Sequence, residues 1–129
     1  MTAFVLGAYS GLALGQEVKV KLRASQEVPA VTTPASGTGT IAVGADHGVS
    51  GGVTTSGLVG TMAHIHEAPA GKNGPVIIPL TKNGNDGWTV PPGAKLTDAQ
   101  YQAFKAGDLY VNVHSDQHKG GEIRAQLKP

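Results

Sequence analysis

From Glu17 to Ala24 the apolar Val18, Val20 and Leu22 alternate with Lys19, Lys21 and Arg23. This two-residue period belongs to an extended strand with one dry and one wet face. It returns at Leu109-Tyr110-Val111-Asn112-Val113 and again at Glu122-Ile123-Arg124-Ala125-Gln126-Leu127. In the last run Ile123, Ala125 and Leu127 are expected inside, and Glu122, Arg124 and Gln126 outside. Runs this short, ended by glycine or proline, point to strands and tight turns rather than long helices. With 19 glycines among 129 residues and few aromatics, the chain reads as one small all-β domain.

The remaining segments fit that reading. Ser25 to Ser36 carries Pro29 and Pro34 and reads as loop. Gly37 to Val43 is extended, and Asp46-His47-Gly48 has the form of a hairpin turn with His47 as a turn residue. Val49 to Gly60 suits a strand with a bulge. Glu67 to Pro75 is loop, with Asn73-Gly74 and Gly74-Pro75 as turn dipeptides. Val76 to Leu80 is a short apolar strand, and Asn83 to Gly87 a turn before Trp88. One segment differs. Thr97-Asp98-Ala99-Gln100 has the capping-box form, which predicts a short helix over 97–106 with Gly107 as its stop and Tyr101 and Phe104 on one inward face. Leu109 to Leu127 is then expected to form an antiparallel hairpin whose tip carries Asp116, His118 and Lys119. Many short strands and one helix suit a Greek-key β-sandwich or barrel.

Ala3 to Gly15 is an apolar run without charge, and Ala13-Leu14-Gly15 before Gln16 has the small-x-small form of a signal-peptidase site. The expectation is a signal peptide on a domain spanning 16–129, with an apolar arm packed on that domain as the alternative. The run is too short to span a membrane. A periplasmic, cell-envelope or secreted location follows from the first reading.

Formal charge is +1, with acidic and basic residues interspersed, and no basic stripe carries interleaved aromatics, which argues against nucleic acid as a partner. The chain has no cysteine, so disulfides, thiolate metal sites and a cysteine nucleophile are excluded. A metal site must use nitrogen and oxygen ligands. Four of the five histidines fall in two places, Ala63-His64-Ile65-His66-Glu67 and His114-Ser115-Asp116-Gln117-His118. In a strand His64 and His66 project to one side while Ile65 turns away, and His114 shares a face with Tyr110 and Asn112, opposite Val111 and Val113. If the two strands are neighbours, His64, His66 and His114 would converge as metal ligands, and His118 is a candidate fourth. Copper is expected, since nitrogen sites bind Cu(II) most tightly among the divalent first-row ions, with zinc as the alternative. The plainer reading is a set of solvated histidines on an outer face. Arg124 is expected in a surface ion pair with Glu122 or Glu67, or guiding an anion to the site. Asp116 is a candidate acceptor for a histidine N–H or else a turn residue. Ser115 faces away from its neighbour His114, so no serine–histidine pair forms, and no paired carboxylates stand at useful spacing.

The H-I-H-E strand, Gly71-Lys72-Asn73-Gly74-Pro75-Val76, the helix before Gly107-Asp108-Leu109-Tyr110-Val111-Asn112-Val113-His114-Ser115, and Gly120-Gly121-Glu122-Ile123-Arg124-Ala125-Gln126-Leu127 together resemble a CHRD domain, the module named after chordin. The resemblance covers about Glu17 to Lys128. It implies an immunoglobulin-like β-sandwich in an extracellular or cell-envelope setting, and it settles fold better than activity. More faintly, His64-Ile65-His66-Glu67 and Val111-Asn112-Val113-His114 look like the copper-ligand strands of copper/zinc superoxide dismutases. That likeness implies His64, His66 and His114 as copper ligands. The bridging histidine, the zinc ligands and the cysteine pair of those enzymes have no counterpart here. Three functions follow as expectations: an exported protein with a mononuclear copper site for copper handling or redox chemistry, a metal-free module that binds a protein partner, and a dismutase-like copper enzyme. Catalysis is left open.

Overall fold

A computed structural model describes residues 15–129. The leader or arm expected at 1–15 lies, except for Gly15, outside the described residues. Nine strands and one helix follow in order: β1 (Gln16–Arg23), β2 (Ser36–Val43), β3 (Val49–Ser56), β4 (Gly60–Glu67), β5 (Val76–Pro79), β6 (Thr81–Asn83), β7 (Gly87–Thr89), α1 (Asp98–Lys105), β8 (Leu109–Ser115) and β9 (Ile123–Leu127). The protein is all-β with one short helix, as the alternation predicts.

All strand pairs are antiparallel, in the order β5-β4-β8-β9-β1-β2-β3-β7-β6. β1, β2 and β3 form a meander. The links from β3 to β4 and from β7 through α1 to β8 join strands that are not neighbours, the kind of long return a Greek key uses. The two ends of the sheet, β5 and β6, are consecutive in the chain and separated only by Leu80. Leu80 donates its N–H to the Ala63 carbonyl at 2.9 Å, and Lys82 Nζ reaches the Gly60 carbonyl at 3.4 Å. One ribbon thus serves both ends, and the sheet curls into a nearly closed barrel.

The interior is filled by the alternating positions. Val18, Val20 and Leu22 of β1, Ala63 and Ile65 of β4, Val111 and Val113 of β8, and Ile123, Ala125 and Leu127 of β9 are all buried, while Lys19, Lys21 and Arg23 are exposed. Each fully buried aliphatic side chain contributes about 1.5–3 kcal/mol. That is what holds β4, β8 and β9 in register beneath the histidines. The helix is capped as its sequence requires. Thr97 Oγ1 accepts from the Gln100 N–H at 3.1 Å, and the Gln100 side chain accepts from the Thr97 N–H at 2.9 Å. Gly107, at φ 82°, ends it in the left-handed conformation that glycine tolerates. Phe104 is buried and Tyr101 partly so. His47 also takes a positive φ, in the turn between β2 and β3, where its ring stacks on Tyr101.

The outer face of β8 and β9 departs from expectation. All seven residues of β8 are buried, and Glu122 and Arg124 are only 5% and 1% exposed. The segment 68–75, between β4 and β5, lies over Tyr110, Arg124 and Gln126, while Glu27 and Thr33 of the loop after β1 meet Asn112 and Glu122. Alternation correctly separates the two faces of these strands, but the second face is covered too.

Candidate metal centre

β4 and β8 are directly paired neighbours. Met62 lies opposite His114, His64 opposite Asn112, and His66 opposite Tyr110. With Ala63, Ile65, Val111 and Val113 pinned in the core, His64, His66 and His114 must share the outer face. One ring nitrogen from each lies within 4.8 Å of the others. Nitrogens held 2.0–2.1 Å from a tetrahedral ion are about 3.3–3.4 Å apart. His64 Nδ1 and His114 Nε2 are 3.0 Å apart, and no pair of the three exceeds 4.8 Å, so the rings would have to close in by up to about 1.5 Å to share an ion.

Two of the three rings are fixed in one tautomer by backbone carbonyls. His66 Nδ1 lies 2.9 Å from the Gly74 carbonyl, and His114 Nδ1 lies 2.8 Å from the Lys119 carbonyl. A carbonyl can only accept, so both Nδ1 atoms carry the proton and both Nε2 atoms present a lone pair. This is the usual outer hydrogen bond of a metal-ligating histidine. The Nε2 of His66 is buried and has no hydrogen-bond partner. The Nε2 of His114 faces His64 Nδ1, which must therefore be the donor between them. To ligate through Nδ1, His64 moves its proton to Nε2, which its half-buried ring permits.

Burial and neighbouring rings favour the neutral form of His64 and His66. Burial, and then the neighbouring His114 and His66, pull the His64 imidazole down to about 4. His66 is also lowered, chiefly by burial, with the Gly74 carbonyl opposing. Neutral imidazoles with free lone pairs are what a metal ion requires.

Around the triad, the covering segment is fastened by one arginine. Arg124 lies flat on the Tyr110 ring, 3.5 Å from its centroid, and Tyr110 stacks in turn with His66 at 4.7 Å and 2° between planes. The guanidinium donates to the Lys72 carbonyl at 2.7 Å, the Asn73 side-chain oxygen at 3.2 Å and the Pro69 carbonyl at 3.4 Å. The surface ion pair expected of Arg124 with Glu122 or Glu67 is thus replaced by a buried clamp. Glu27, which is coupled electrostatically to Arg124, accepts from Asn112 at 3.4 Å. Glu122 instead accepts from Ser115 Oγ at 2.5 Å and Thr33 Oγ1 at 2.8 Å.

Two further candidates lie apart from the triad. Asp116 is exposed and is not the acceptor for His114, because the Lys119 carbonyl takes that proton. His118 is not in the converging group. It sits half-buried in the turn between β8 and β9, where its backbone exchanges hydrogen bonds with Ser115. Gly74, Lys119 and Tyr110 escaped the sequence reading as site residues. The Asn73-Gly74-Pro75 turn signal marked where the chain bends, but nothing in it says which ring its carbonyl meets.

The family model described as the CHRD domain matches residues 18–127. No curated protein and no solved structure matches the chain. CHRD domains are found in extracellular or secreted proteins. No helix among the described residues is long and apolar enough to cross a membrane.

Proposed function

The chain belongs to the CHRD domain family, and from that premise we propose that it is an exported protein binding one copper ion through His64, His66 and His114, for copper handling or redox chemistry. The observation that carries this reading is the buried, unpartnered Nε2 of His66, placed within ligand reach of two other imidazoles. Leaving such a nitrogen unsatisfied costs roughly 1–3 kcal/mol, and a cation at the triad offsets that cost. Three nitrogen ligands without thiolate or carboxylate favour copper over zinc. The Gly74 and Lys119 carbonyls hold two rings in the ligating tautomer, and the half-buried His64 leaves one side of the site open to a fourth donor or an incoming molecule. When bound, copper would supply one-electron chemistry or a transferable cargo.

The test is a copper titration followed by electron paramagnetic resonance on wild type and His66→Ala. Stoichiometric uptake with nitrogen hyperfine structure, weakened in the variant, supports the site. Equal weak binding by both proteins, or none, returns the domain to a metal-free interaction module.

A further inference from the structure

Resting on the copper reading, we propose that Met62 is a fourth ligand of this centre and that its thioether biases the site toward Cu(I). The placement follows from the register. β4 runs Met62, His64, His66 along one face, since Ala63 and Ile65 between them are buried in the core. Met62 is also the residue directly opposite His114 on β8. Residues paired in this way have Cβ atoms about 4.5–5.5 Å apart. Met62 therefore flanks two members of the triad, one along its own strand and one across the ladder.

Its exposure is the second observation. Met62 is 51% exposed, one of only three large apolar side chains among the described residues that stand out into solvent. Further along this face the side chains are covered: His64 is half-buried, His66 and His114 are buried, and Asn112 beside them is 2% exposed. Met62 thus stands at the open margin of the centre, where the three imidazoles leave room. Its side chain is unbranched with three rotatable bonds, so the sulfur can swing to the ion without moving the strand.

The chemistry decides the oxidation state. Thioether sulfur is a soft donor that selects Cu(I), and it adds little for Zn(II) or Cu(II) beside three imidazoles. Ligation requires only donation of a sulfur lone pair into the coordination position that water would otherwise take. No bond within the protein breaks and no proton moves.

Wild type and Met62→Leu, which keeps volume and apolarity but removes the sulfur, are compared in Cu(I) competition against a chromophoric chelator and in copper X-ray absorption of the Cu(I)-loaded proteins. The expected result is a sulfur scatterer in wild type that disappears in the variant, with Cu(I) affinity falling by at least about 10-fold, the low end of what losing an outer hydrogen-bond partner costs a metal site. Cu(II) affinity should fall by less. A nitrogen-only shell in wild type, with equal Cu(I) affinity in the variant, overturns the role of Met62 and leaves the three-histidine centre standing. Failure of wild type to take up copper at all removes both.

Discussion

His66 donates its Nδ1 proton to the carbonyl of Gly74, eight residues along the chain, and the amide of the same glycine donates to the Tyr110 hydroxyl at 3.1 Å. One residue thus sets the tautomer of a candidate ligand and holds the ring stacked against it. A Cβ at Gly74 would fall 1.8 Å from the Glu67 carbonyl oxygen, on backbone that cannot yield. Gly74→Ala is therefore expected to lift the segment 68–75 and release His66. Copper affinity should drop by about 10- to 100-fold, as when an outer-shell partner is lost, and the thermal midpoint should fall with it. Wild-type titration curves for this variant would show that the carbonyl does not orient the ring.

Arg124→Met is expected to cost about 3 kcal/mol, measured by urea denaturation. The methionine keeps much of the packing on Tyr110, but it leaves the Lys72 and Pro69 carbonyls without their donor and Glu27 without the cation coupled to it. Arg124→Lys should recover little of the loss, because an ammonium lacks the planar fork that lies on the ring while bonding several acceptors. Full recovery by lysine would mean that charge alone holds the segment down.

Glu27 on one side and the lowered histidines, His64 foremost, on the other give the copper-free protein opposing pH dependences. Burial pushes the Glu27 carboxyl up to about 7, against the pull of Arg124 and Asn112. The folded chain keeps a proton there that the unfolded chain releases near 4.5, so this group makes stability fall as pH rises from 4.5 to about 7. His64, lowered to about 4 by burial and its histidine neighbours, acts the other way. Between 6.5 and 4 the unfolded chain binds the proton that the folded one refuses, and stability falls as pH drops. The two windows overlap and offset each other. Glu27→Gln removes the first contribution alone, so the stability of this variant relative to wild type should grow as pH rises from about 5 to about 8. Denaturant midpoints across that range check it. A difference independent of pH would mean that Glu27 titrates as an ordinary carboxylate.

His118→Ala should leave copper stoichiometry and the nitrogen hyperfine pattern unchanged. The ring is not in the converging group, and the turn it occupies is held by backbone hydrogen bonds with Ser115 that alanine can also make. A clear loss of affinity in isothermal titration would bring the turn into the coordination shell.

The sequence made legible whatever depends on neighbours along the chain. The alternation of Val18 to Arg23 gave β1, and the Thr97 to Gln100 capping box gave α1 to within a residue at each end. The histidine triad was readable for the same reason, since a period of two forces His64 and His66 onto one face. What it could not supply was long-range packing. Arg124 alternates like a wet residue and is in fact covered, because a strand pattern separates faces without saying what lies over them. The carbonyls of Gly74 and Lys119 were invisible in principle: every residue has a carbonyl, and only the closed barrel decides which two meet an imidazole. The expected strand Val76 to Leu80 is β5 and ends one residue early, while β6 just beyond it was not expected and likewise depends on the curvature of the whole sheet.

His64 and His114 lie 50 positions apart in the chain and touch only after β4 and β8 have zipped together. A nascent or half-assembled molecule therefore offers at most the isolated His64/His66 couple, a far weaker trap. Any ion that needs all three rings discriminates finished molecules from unfinished ones, and by mass action it should shift the melting transition upward as its concentration rises.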